Sequence, residues 1–150
     1  MAIPFTDAFP LGNPFLSWLG VEVDLIGDGK AELGLLLLPH HMNSWQVAQG
    51  GLSVTMMDVA MGVAARSAVS KEQSCATVDM STSFLQPGGH PGDRLVARAQ
   101  IVHRSVTMCF CDAGLWNGDQ LVAKSSGTFK YLRSSEITRK LLGASTEIWA

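Results

Sequence analysis

Charge is scarce in this chain: acidic and basic side chains make up 16% of 150 residues and leave a formal net charge of −2. A surface so close to neutral offers no basic field for nucleic acid or for an anionic membrane, so neither is expected as a partner. Cysteine is rare and odd in number, with Cys75, Cys109 and Cys111 only. Three thiols at these spacings build neither a disulfide framework nor a metal knuckle, and they read as reduced and mostly buried. No apolar run approaches the roughly 20 residues that a membrane span needs. The start, MAIPFTDAFP, lacks the basic and apolar regions of a secretory signal. The cytoplasm is the expected address. His40, His41, His90 and His103 fall in no zinc-binding spacing and read as ordinary loop histidines, so no metal is expected. A Gly-x-Ser-x-Gly elbow is missing, as is any Ser/His/Asp set in a credible order.

Apolar residues, by contrast, are abundant, at 47% of the chain with a mean hydropathy of +0.19. Either the core is large or part of the surface is covered by another subunit. The length fits a single domain spanning 1–150, with its core at about 13–132 and a tail at 133–150.

The stretch from His40 to Ala65 organises the rest. It starts as a polar loop, passes through Gly50-Gly51 and continues into an apolar segment whose only charge is Asp58. Leu52, Met56, Val59 and Val63 recur at the spacing of one helical face. The opposite face is hardly more polar, and a helix that is apolar all round is normally buried all round. An ionised Asp58 in such a place costs several kcal/mol unless it is paired, hydrogen-bonded or protonated. It is either a structural tie to backbone amides or a hydroxyl, or a catalytic carboxylate.

Before the helix, Asn13-Pro14 followed by Phe15, Leu16, Trp18 and Leu19 reads as a capped helical turn laying apolar side chains onto the core, or lining a pocket. Val21 to Ile26 and Ala31 to Leu38 read as strands around the turn Gly27-Asp28-Gly29. After the helix the period becomes two. Val78, Met80, Thr82 and Phe84 form the apolar face of one strand, with Thr77, Asp79, Ser81 and Ser83 opposite. Leu95 to Ile101 is a second strand. Val106–Trp116 and Gln120–Leu132 flank Asn117-Gly118-Asp119, a strong hairpin signal, with Cys109 and Cys111 on one core-facing side. The tail looks helical from Ser134 to about Leu142. Two strands, one long helix and four strands make an α+β fold in which an antiparallel sheet must curl around the helix, and dimerisation across a sheet edge would extend that wrapping.

Asn43, Gln49-Gly50-Gly51 and Asp58, at these spacings, resemble the active-site signature of the hotdog-fold acyl-CoA thioesterases of the phenylacetate-degradation type, which includes the 4-hydroxybenzoyl-CoA thioesterase-like enzymes. The similarity runs on through ATVDMSTSFLQP, GDRLVARAQIVHRS and QLVAKSSGTF. The resemblance implies a curled antiparallel sheet wrapped around one long central helix. It also implies homodimers with active sites at the interface, often paired into tetramers, and hydrolysis of acyl-CoA thioesters with no cofactor beyond the coenzyme A of the substrate. In this chain the Gly51 amide would polarise the thioester carbonyl and Asp58 would be nucleophile or general base. Asn43 would position water or carboxylate, and Thr77 would help to hold the water. Gly50 and Trp45 would shape the substrate groove.

Spacing bears on the same assignment. Asp58 follows Gly51 by seven residues, roughly 10 Å along a helix axis. One carbonyl must lie within about 3 Å of both its oxyanion donor and its attacking group, so one chain can hardly supply both. Two departures from the family pattern stand out. Gln49 replaces a histidine, and it can donate a hydrogen bond but cannot titrate. Val106 stands where relatives carry a basic residue near the CoA phosphates, leaving Arg104 as the substitute, whereas Arg66 is explained by the helix dipole. A non-catalytic acyl-CoA-binding or sensor protein is the alternative reading, and hydratases are disfavoured because their His-acid motif is absent.

Overall fold

Period-two patterning and the long apolar helix appear in the computed structural model as a single antiparallel sheet curled on one helix; residues 2–5 and 12–133 are described. In chain order the elements are β1 (Ile3–Pro4), α1 (Pro14–Leu19), β2 (Glu22–Gly27), β3 (Lys30–Leu36), a 3-10 turn (Pro39–His41), α2 (Gly50–Ser67), β4 (Gln73–Phe84), β5 (Arg94–Arg104), β6 (Met108–Asn117) and β7 (Gln120–Arg133). The expected strands and helices are all present among these residues, joined by a two-residue β1 too short to leave a pattern in the sequence. The sixth strand starts at Met108 rather than Val106, because Ser105 Oγ accepts the Thr107 and Met108 N–H groups and turns the chain there. The helix expected at 134–142 lies outside the described residues.

Strand order is β1-β2-β3-β5-β6-β7-β4, so β4, which follows α2 in sequence, is inserted at the far edge beside β7. α2 lies across the concave face and touches every strand from β2 to β7. Met56, Met57, Ala60, Met61 and Ala64 are fully buried there against Leu33, Leu35, Leu95, Leu115 and Phe129. Gly127 leaves the room for this seat: a Cβ on it would lie 3.0 Å from the Met61 methyl and 2.9 Å from the Phe129 ring.

Two expectations need correction. Within one chain α2 is not buried all round. Gly51 is exposed and Thr55, Asp58, Val59 and Gly62 are half-buried, an open stripe along one side. Among the described residues the sheet ends at β4 and no strand beyond it covers that stripe. Second, the apolar face assigned to β4 is broken by a bulge: Thr77 pairs with Phe129 and Asp79 with Thr128, so Val78 is an extra residue. Val78 is therefore turned outward and is 58% exposed. Thr77, placed opposite Met80 by simple alternation, now shares its inward face.

Side chains complete the C-terminus of α2, whose last carbonyls lack intrahelical partners. Ser67 Oγ donates to Ala64 O at 2.8 Å, and the buried Tyr131 hydroxyl donates to Ala65 O at 2.9 Å. Tyr131→Phe keeps the ring and orphans that carbonyl. Urea denaturation should report a loss of about 1 kcal/mol, with the fold unchanged.

Candidate active site

The loop before α2 is built around Asn43. Its Oδ1 accepts the Trp45 N–H at 2.9 Å and the Val47 N–H at 3.4 Å, while its own N–H donates to Val47 O at 2.8 Å. Gln46, at φ +61°, makes the left-handed step of this turn. Ala48 N–H donates to Gly89 O and Gln49 N–H to His41 O, which pins the loop where the helix begins.

At that start the Gln49 carbonyl takes the Leu52 N–H at 3.0 Å and the Ser53 N–H at 3.4 Å. Gly50 and Gly51 precede these bonds, so their N–H groups belong to the orphan donors of the helix's positive end. A Cβ on Gly51 would meet nothing within 4 Å, so a ligand has room to approach its amide. The Gln49 side chain makes no capping bond and is exposed.

Seven residues on, Asp58 faces the same side of α2. The Thr77 hydroxyl donates to its Oδ1 at 2.7 Å and so joins α2 to the bulged strand. Cys75, two residues earlier on β4, donates its S–H to Gly62 O, and burial pushes its thiol up to about 11, so it stays protonated and unreactive at neutral pH. Cys109 and Cys111 are buried in the core.

Two clefts flank the helix start. One, of about 360 Å³, lies between α1 and the first turns of α2 and is lined by Phe15, Leu19, His40, His41, Gln49, Gly51, Leu52 and Thr55. The other, of about 290 Å³, lies on the far side, where Asn43, Trp45 and Gly50 meet Phe84 of β4. Each cleft thus touches one glycine of the pair. Thr77 and Asp58 are joined within the chain, and Gln49 and Gly51 share one cleft while Asn43, Trp45 and Gly50 share the other. Gly51 and Asp58 remain separated by two helical turns. Arg104 is remote: it stands at the end of the row Arg104–Cys109–Phe129–Thr77, three strand spacings or roughly 14 Å from Thr77. Among the described residues no three His, Cys, Asp or Glu side chains gather as a metal site, and no helix is long and apolar enough to cross a membrane.

Sequence alone leaves Phe15 and Leu19 between packing and pocket lining and reads the His40-His41 pair as ordinary loop histidines. Only the tertiary fold brings α1 against α2, although the Asn13-Pro14 cap had marked α1 as a fixed element. His41 is buried, with Nδ1 accepting the Leu38 N–H at 3.0 Å and Nε2 without a hydrogen-bond partner.

A curled antiparallel sheet closed on one long helix, with a carboxylate midway along that helix and open glycine amides at its start, is the hotdog arrangement. The profile of the thioesterase superfamily matches residues 46–124, and the chain belongs to that superfamily. A candidate esterase of Halobacterium salinarum is 36% identical over 98 residues, 62% of this chain and 63% of that protein; one of Pseudomonas aeruginosa is 33% identical over 89 residues, 59% and 66% respectively. The match therefore spans just under two thirds of each relative's length. Among solved structures, a thioesterase family protein of Silicibacter pomeroyi superposes with a TM-score of 0.78 at 25% identity, covering 85% of this chain and 94% of that one. The PaaI protein of the E. coli phenylacetic acid degradation operon has the same fold, with a TM-score of 0.77 at 23% identity over 85% and 90%.

The environment of His41 makes stability pH-dependent. Burial and neighbouring His40 hold it below its ordinary value near 6.5, opposed by the Leu19 backbone. The unfolded chain therefore takes up this proton first as pH falls. The stability from neutral His41 is complete above about pH 6.5 and is lost as pH drops through the lower folded value. The thermal midpoint should fall between pH 7 and pH 5, and His41→Gln should flatten that part of the curve.

Proposed function

We propose that this protein is an acyl-CoA thioesterase that hydrolyses R–CO–S–CoA to the free acid and coenzyme A. The observation that carries this reading is the open stripe of α2. On a helix otherwise sunk in the core, the uncovered side holds the Gly51 amide and, two turns on, Asp58 bonded to Thr77. With about 10 Å of helix between donor and carboxylate, one chain cannot close a site, but two antiparallel copies set stripe to stripe would present Gly51 of one to Asp58 of the other. The working unit is thus a homodimer, with pairing of dimers as a further step of assembly. The exposed edge of β4 and its outward Val78 suit such pairing.

In the reaction the Gly51 N–H and the helix dipole stabilise the oxyanion that forms as the carbonyl becomes tetrahedral. Asp58 either takes a proton from the attacking water or attacks the carbonyl itself, giving an anhydride that water then opens. In both cases the C–S bond breaks and the thiolate leaves with a proton. The Thr77 hydroxyl fixes Oδ1 and keeps the carboxylate oriented. Asn43 has spent its Oδ1 on the loop, so what it offers to water or carboxylate is its Nδ2 donor. Gln49, where the family signature has histidine, orients substrate as a neutral donor. The cleft of Trp45 and Gly50 receives part of the substrate, and Arg104 meets the CoA phosphates from the sheet end. The signature favours a medium-chain or aryl acyl group.

An acyl-CoA panel read by thiol release tests this. Asp58→Asn preserves shape and should lose at least about a hundredfold in kcat with its thermal midpoint retained. Light scattering should give at least two 16.1 kDa chains. Binding of CoA esters without release of CoA above background would make the protein a sensor instead, and undiminished hydrolysis by Asp58→Asn would remove the carboxylate from the mechanism.

A further inference from the structure

From the cleft between α1 and α2 we infer that α1 is the wall of the acyl pocket and that Phe15 sets the length of the acyl group accepted. The inference rests on the thioesterase reading for its substrate. Gly51 lines this cleft, so a thioester carbonyl held at its amide directs one of its two substituents toward α1. Among the lining residues there is no Lys, Arg, Asp or Glu, and Phe15, Leu19 and Leu52 supply an apolar surface. An uncharged acyl chain matches that lining. The pantetheine arm carries two amides that need hydrogen bonds and must lead out to its phosphates.

The wall is held firmly. Asn13 Oδ1 accepts the Leu16 N–H at 3.2 Å, Pro14 starts the helix, and Gly20 ends it in a left-handed conformation at φ +86°. Leu16 and Leu19 are buried in the core, and the Trp18 ring contacts His40 at 5.4 Å between centroids. Phe15, four residues before Leu19 and so on its side of the helix, is left 53% exposed with its ring on the cleft. Its size is thus free to act on substrate without being required by the core.

The test is a straight-chain acyl-CoA series on the full-length protein. Phe15→Ala should move the maximum of kcat/KM to chains longer by two or more carbons and raise the long-to-short ratio about tenfold, whereas Phe15→Trp should move it to shorter chains. A profile unchanged within twofold in both variants overturns the inference and leaves thioesterase activity standing. Non-hydrolysable 2-oxoalkyl thioethers of coenzyme A, titrated by calorimetry, give the same comparison without turnover. If the wild type hydrolyses no ester, a length preference in binding that shifts with Phe15 still supports the pocket. An unshifted one overturns it.

Discussion

A helix with no polar face cannot be left on a flat sheet, and this requirement shapes the whole molecule. α2 presents Met56, Met57, Met61 and alanines on three sides, each large side chain gaining about 1.5–3 kcal/mol on burial. The sheet meets that demand by curling, with six strands reaching the helix from different directions. What the curl leaves uncovered is a narrow stripe that holds Gly51, Thr55, Asp58, Val59 and Gly62. The site is the remainder of a packing problem.

The bulge at Val78 is the second device that the site needs. Thr77 and Met80 are three residues apart, and in an unbroken strand they would face opposite ways. One extra residue between them lets Thr77 reach Asp58 while Met80 still packs on the core. The strand therefore serves the carboxylate without giving up its own burial.

Most of the architecture was legible because it is written in period. Alternation identified β5, β6 and β7, Asn117-Gly118 announced their hairpin, and the apolar run from Leu52 announced α2. Asp58 stood out because nothing near it was charged. The bulge was illegible, since Thr77, Val78, Asp79 and Met80 alternate as regularly as any strand and only the partner's register exposes the slip. Equally hidden was the open side of α2, where glycines rather than polar residues mark the stripe. Phe15 and His41 gain their surroundings from elements distant in sequence, and no local pattern distinguishes them from packing or loop residues.

The place of β4 at the sheet edge also governs the order in which the chain becomes competent. Among the described residues its one strand neighbour is β7, whose first residue lies thirty-six positions beyond the last of β4. As synthesis proceeds from the N-terminus, α2 and β4 emerge together, yet β4 has no ladder to join until the final hairpin is complete. The bond from Thr77 to Asp58 spans only nineteen residues, but it waits on contacts made by the last strand of the sheet. A nascent chain that halts before Gln120 carries every catalytic residue proposed for it but lacks the strand that seats Thr77 against Asp58.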